Sequence, residues 1–226
     1  MRGKRDGVPK HGDKRRMRIG LLGGSFNPAH DGHLHVARLA CRRFALDQVW
    51  LMVSPGNPLK PARGMAPFGE RLASAEAIAD GRRIVATAIE AKLGSRYTWA
   101  TLAKLHRIFP RVDFVWLMGA DNLEDLARWQ RWQRIAAQTA LGILPRPEHN
   151  MEALAGRAAH RLRHARLPAR AASRLAAAQT PAWIFLPAAQ NALSATALRA
   201  AKSAATANEA ATIDAATCSA IHGEGQ

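Results

Sequence analysis

Cysteine is scarce in this 226-residue chain: only Cys41 and Cys218 are present, which excludes a disulfide framework and a cysteine-rich metal cluster and fits a reducing compartment. Both read as ordinary thiols. No run approaches the roughly 18 apolar residues of a membrane helix, and the basic N-terminus leads into glycine-rich sequence rather than a signal-peptide core. A cytoplasmic protein is expected. Acidic residues are few, 17 against 33 Lys and Arg, and the net charge of +16 favours anionic partners without choosing among nucleotides, nucleic acid and a membrane surface. There is no internal repeat and no RNA- or DNA-binding motif, and the six Trp are not interleaved with basic residues as a base-stacking array requires.

What is present is a globular composition, 48% hydrophobic and 22% charged, which rules out a wholly disordered, collagenous or coiled-coil chain. At roughly 150 residues per domain, one domain with decorated ends is expected. Residues 1–16 read as a flexible basic leader, which a start at Met17 would remove; residues 17–201 read as the folded domain. Residues 202–226 are Ala-rich, with Ile213 and Ile221 their only large aliphatics, and are expected to be disordered. Arg157, Arg161, Arg163, Arg166, Arg170 and Arg174, set among alanines, read as a solvated helical face.

Short apolar runs alternate with helical periods. Strands are expected at 18–22, 49–53, 84–88, 112–118, 140–144 and 183–186, and helices at 34–44, 68–79, 98–109, 123–137 and 194–201. Strands separated by helices imply βαβ units, hence an α/β, Rossmann-like, mostly parallel sheet with helices on both faces. Ligands of such sheets bind beyond the carboxyl ends of the strands. Residues 23–33, 54–60, 119–121 and 194–199 all fall there.

The most informative stretch is Gly23-Gly24-Ser25-Phe26-Asn27-Pro28-Ala29-His30-Asp31-Gly32-His33. Two glycines after a strand allow close backbone approach to a ligand, and free N–H groups of the loop and following helix form an anion site suited to polyphosphate. His30 and His33, three apart at the helix start, share a face and can donate hydrogen bonds to charge growing on a phosphorus centre. The alternatives are a helix-capping turn with surface histidines, or part of a zinc site. Ser194 and Thr196 open another helix start that can hold a phosphate, with Arg199 one turn on. Asp121 follows a strand end, where it can bind a ribose hydroxyl or help position Mg²⁺. Trp129 offers a flat face or a core contact, and Trp132 one turn later could serve the core instead.

The glycine–histidine string resembles the HxGH nucleotidyltransferase superfamily, and within it the bacterial nicotinate-nucleotide adenylyltransferases. Leu117-Met118-Gly119-Ala120-Asp121 with the downstream tryptophan, and Leu193-Ser194-Ala195-Thr196-Ala197-Leu198-Arg199, resemble two further blocks of that family in the same order, so the likeness spans about residues 17–200. It implies a nucleotidyltransferase fold and transfer of AMP from ATP, carrying Mg²⁺, to nicotinate mononucleotide, in NAD biosynthesis. Gly23, Gly24, Ser25, Phe26, His30, His33, Asp121, Ser194, Thr196 and Arg199 would bind ATP, with the two histidines catalytic. Asn57, Lys60, Thr98, Trp129 and Arg146 would bind the mononucleotide, Trp129 stacking on its pyridine ring. No direct protein ligand to the metal, no membrane partner and no specific nucleic acid are implied, and a homo-oligomer is compatible with the pattern. Two departures stand out: Ala195 replaces the commoner second Ser, and the closing aromatic helix is missing from the tail. Nicotinamide mononucleotide, phosphopantetheine and FMN remain alternative acceptors, since the first block serves the whole superfamily. A basic nucleic-acid-binding protein remains the alternative of a different class.

Overall fold

The computed structural model describes residues 15–56, 64–146 and 148–187. Asn57, Lys60, Ser194, Thr196, Arg199, the expected last helix, nearly all of the basic leader and the Ala-rich tail lie outside the described residues.

Six strands form one parallel sheet: β1 (Met17–Gly24), β2 (Gln48–Val53), β3 (Ile84–Thr87), β4 (Val112–Gly119), β5 (Ala140–Leu144) and β6 (Trp183–Phe185), in the order β3-β2-β1-β4-β5-β6. That is the doubly wound order, and its direction reverses between β1 and β4, the switch point beyond whose strand ends ligands of such sheets bind. The strands are apolar on both faces because both are covered. Ile19, Leu21, Trp50, Met52, Phe114 and Trp116 face one core, roofed by α4 (Thr98–Ile108), α5 (Ala120–Asp125) and α6 (Trp132–Gln138). Leu22, Val49, Leu51, Val115 and Leu117 face the other, roofed by α1 (Asp31–Arg43), α2 (Phe68–Ile78) and the 3₁₀ segment Ala169–Ala177. The remaining helices are short: α3 (Ile89–Lys92), α7 (Asn150–Ala155) and α8 (Arg157–Arg161). The six arginines between 157 and 174 are all exposed, but they are spread over α8, two 3₁₀ segments and the extended Arg166 rather than along one helical face. No helix among the described residues is long and apolar enough to cross a membrane.

Three boundaries differ from expectation for physical reasons. β1 does not stop before the glycine pair: Gly23 and Gly24 stay in the ladder opposite Met52 and Val53. Helix α1 begins at Asp31 rather than 34, because His30 acts as its cap in place of the usual Ser, Thr or Asp. The helix expected over 123–137 is broken, with a 3₁₀ turn at Leu126–Arg128, extended backbone at Trp129 and left-handed backbone at Arg131 (φ 52°) before α6 starts. The Arg131 guanidinium lies over the Trp99 ring, 4.5 Å from its centroid, and the Trp99 indole N–H donates to Gln130 Oε1 at 3.0 Å. These contacts hold the kink without any Gly or Pro to announce it.

Gly142, in the middle of β5, admits the second core: a Cβ there would sit 2.8 Å from Phe44 Cε2 and 2.9 Å from Leu117 Cδ2. Gly142→Ala is therefore expected to lower unfolding free energy by about 1–3 kcal/mol through overpacking, measured by urea denaturation. Equal or greater stability of the variant would contradict this packing.

Candidate active site

Of the expected residues, Gly23, Gly24, Ser25, Phe26, His30 and His33 lie at or after the carboxyl end of β1, Asp121 after β4 and Arg146 after β5. Gly23 lies over Trp116, and a Cβ at that position would come 2.6 Å from the indole Cη2, so only glycine lets β1 pass there. The chain then takes a left-handed step at Phe26 (φ 48°), which drives that ring into the second core at 1% exposure, 4.9 Å from the His33 ring.

His30 and His33 cap α1 reciprocally. The Gly32 N–H donates to His30 Nδ1 at 3.1 Å, and the His30 N–H donates to His33 Nδ1 at 3.2 Å. The His33 N–H is taken by the His30 carbonyl at 2.9 Å. The Gly32, His33 and Leu34 N–H groups, expected to be free to meet an anion, are thus already occupied. With each Nδ1 accepting, a neutral ring must carry its proton on Nε2, a donor held at the helix start. The ring centroids are 3.9 Å apart. Burial, reinforced by Arg146, lowers the His30 pKa against the opposing pull of Asp31. Burial, then His30 and Arg146, lowers that of His33 to about 3. Both are neutral donors at pH 7. Among the described residues no three His, Cys, Asp or Glu side chains converge as metal ligands, so the zinc alternative finds no site there.

Beyond β4, Asp121 pairs with Arg146, Oδ1 to Nε at 3.4 Å, both side chains partly exposed. Gly119 makes room for the pair, since a Cβ there would collide with the Asp121 carboxylate and lie 2.9 Å from Arg146 Nε. Asp121 Oδ1 and Trp116 Nε1 are shielded from solvent with no hydrogen-bond partner among the described residues. Such groups are rare and mark places where a ligand or water completes the bonding. Trp129 is half-buried and stands edge-on to Trp116, centroids 6.5 Å apart. Trp129 and Trp132 both pack against the first core, so the two proposed roles are not divided cleanly between them. Thr98 opens α4, next to the Trp99 that braces the 129–131 kink.

The site missing from the sequence-derived set is a buried arginine. Arg71, on α2 and 3% exposed, donates from Nη1 to the carbonyls of Ser25 (2.7 Å) and Ser54 (2.8 Å), and from Nε to that of Ala66 (2.9 Å). The Asn27 side chain ties the same segments, Nδ2 donating to the Gly64 carbonyl (2.9 Å) and Oδ1 accepting from the Ala66 N–H (3.1 Å). An arginine on the apolar stripe of α2, in line with Ala75, was the available signal.

The cytidylyltransferase-like family matches residues 21–201. The chain belongs to that family. A probable nicotinate-nucleotide adenylyltransferase of Gluconobacter oxydans is 63% identical over 81% of this chain and 94% of its own length. One of Gluconacetobacter diazotrophicus is 60% identical over 84% of this chain and 88% of its own. Within the cytidylyltransferase-like proteins the chain is thus a member of the nicotinate-nucleotide adenylyltransferase group, and it is a nucleotidyltransferase. The Plasmodium falciparum nicotinic acid mononucleotide adenylyltransferase solved with NaAD shares the fold, with a TM-score of 0.59 over 81% of this chain and 82% of that one at 16% identity.

The histidine geometry has a consequence for stability. Between pH about 3 and 6.5 the unfolded chain protonates His33 while the folded one does not, so stability falls as pH drops through that window. His33→Asn, which retains an acceptor for the His30 N–H, is expected to show a shallower acid loss than the parent in urea titrations from pH 7 to 4. Identical slopes would refute the neutral, buried imidazole.

Proposed function

We propose that this family member transfers the adenylyl group of MgATP to nicotinate mononucleotide, giving nicotinate adenine dinucleotide and pyrophosphate in NAD biosynthesis. The single observation that carries the chemistry is the pair of Nε2–H donors fixed at the start of α1, beside the strand reversal. Identity of 63% to a protein named for this activity supports the choice of acceptor.

The acceptor phosphate, already ionised at neutral pH, attacks the α-phosphorus in line; the new P–O bond forms as the bond to the β-phosphate oxygen breaks, and pyrophosphate leaves with the electron pair. No general base and no covalent enzyme intermediate are required. Catalysis is positioning plus charge stabilisation. His30 and His33 donate to the phosphoryl oxygens as charge builds. Asp121, held by Arg146 just beyond β4, accepts from a ribose hydroxyl on the adenosine side. Trp129 stacks on the pyridine ring and Arg146 lies near the nucleotide phosphates, while Thr98 faces the nicotinate carboxylate through its backbone. By family resemblance, Ser194, Thr196 and Arg199 hold ATP phosphates and Asn57 and Lys60 the mononucleotide. Magnesium enters with the triphosphate as part of the substrate. The cysteine pattern supports a cytoplasmic setting.

Pyrophosphate release by purified protein tests the reading, with MgATP and either nicotinate mononucleotide, nicotinamide mononucleotide or no acceptor. The acid is expected to be preferred; equal use of the amide would overturn the acceptor, and silence with every acceptor from folded protein would overturn the activity. His33→Ala is expected to lower kcat by about 100-fold or more with the fold intact by circular dichroism.

A further inference from the structure

The Arg71 guanidinium is a buried cation with no carboxylate among its hydrogen-bond partners: its described donors end on backbone carbonyls from three separate segments. Ser25 belongs to the glycine loop after β1, Ser54 follows β2, and Ala66 precedes α2. Among the described residues Arg71 makes no salt bridge, and its Nε and Nη1 donors are taken by the protein backbone. What the contacts do is orient peptides. In a trans peptide the carbonyl and the following N–H point in opposite directions, so a Ser25 carbonyl held against Arg71 turns the Phe26 N–H away from α2. Among the described residues that N–H has no acceptor. Phe26 is also the residue with left-handed backbone, an arrangement unfavourable for a bulky side chain that persists only where surroundings impose it.

Resting on the adenylyltransferase reading above, we propose that Arg71 is a positioning residue that aims the Phe26 N–H at the ATP phosphates and fixes the β1 loop against the loop after β2, so that donor and acceptor nucleotides meet in line. Asn27 supports the same junction through Gly64 and Ala66. Ser74, one turn beyond Arg71 on α2, closes it from the other side by accepting the Ala29 N–H at 3.1 Å. The first turns of α2 thus act as a template for the whole 25–29 loop.

The test compares Arg71→Met and Arg71→Lys with the parent in three measurements: MgATP dissociation constant without acceptor, kcat and KM per folded molecule, and melting temperature. Arg71→Met is expected to lower kcat by about 100-fold, the scale of a small misplacement, and to weaken MgATP binding about tenfold. Arg71→Lys, which keeps a charge and flexible donors, is expected to recover part of both. A merely structural arginine would lower the melting temperature and leave kcat and MgATP affinity per folded molecule within threefold of the parent, and that result overturns the proposal. Should Arg71→Met not fold, Arg71→Lys decides by the same criterion, parental kcat and affinity again overturning it. If the parent binds MgATP but does not use nicotinate mononucleotide, the acceptor reading has failed, and the ratio of MgATP dissociation constants still decides the role of Arg71.

Discussion

Two backbone N–H groups, those of Gly32 and His30, donate into the Nδ1 lone pairs of His30 and His33, and the geometry at the head of the sheet depends on those bonds. They start α1 where no Ser, Thr or Asp is available to cap it. They also select one tautomer in each ring and hold the two Nε2–H donors at the helix start. If a cap elsewhere supplied the acceptors, the imidazoles would be free to rotate and to expose either nitrogen. Burial completes the arrangement by keeping His33 neutral, with Phe26 packed beside it.

The carboxyl edge of β4 is the polar counterpart of this corner. Trp116 Nε1 is shielded with no hydrogen-bond partner among the described residues, and Asp121 Oδ1 is shielded with only its 3.4 Å ion pair to Arg146; Trp116 lies in β4 and Asp121 just beyond its carboxyl end. A folded chain tolerates such groups where a bound partner completes them. The Asp121–Arg146 pair is partly solvated and contributes little stability, so its value lies in placement: each side chain limits where the other can go above Gly119. The same Arg146 lowers the pKa of both histidines, linking the two halves of the site electrostatically.

Much of this was legible in the sequence, because the informative signals were local. The strand at Ala140–Leu144 is bounded as its apolar run is, and the other five strands differ by one or two residues at an end. The alternation of strands and helices carried the parallel sheet, and the glycine–histidine string carried the site. Features that failed were those that depend on partners distant in sequence. The kink at Arg131 is held by Trp99, more than thirty residues earlier, and nothing within residues 123–137 breaks a helix. The cap formed by His30 uses Nδ1 alone, so a capping reading and a donor reading of the same ring are compatible, which residue type and spacing do not reveal. Arg71 carries no motif: its meaning comes from carbonyls at Ser25, Ser54 and Ala66, two of which are contributed by loops after other strands.

Direct transfer between two nucleotides makes severe demands on loop geometry, because attacking and leaving oxygens must stay in line with no covalent intermediate to relax the alignment. Loops after β1 and β2 would ordinarily be the mobile parts of such a fold. Here the β1 loop is fixed from several directions: Gly23 lies against Trp116, Phe26 is buried in a strained conformation, the Asn27 amide bonds Gly64 and Ala66, and the Ala29 N–H bonds Ser74. Each contact alone is modest. Together they tie the loop to β4, to the segment before α2 and to α2 itself, and the left-handed backbone at Phe26 shows that the surroundings outweigh its intrinsic preference. A site held this way places its donors before substrate arrives, so reorganisation is not added to the barrier of the chemical step.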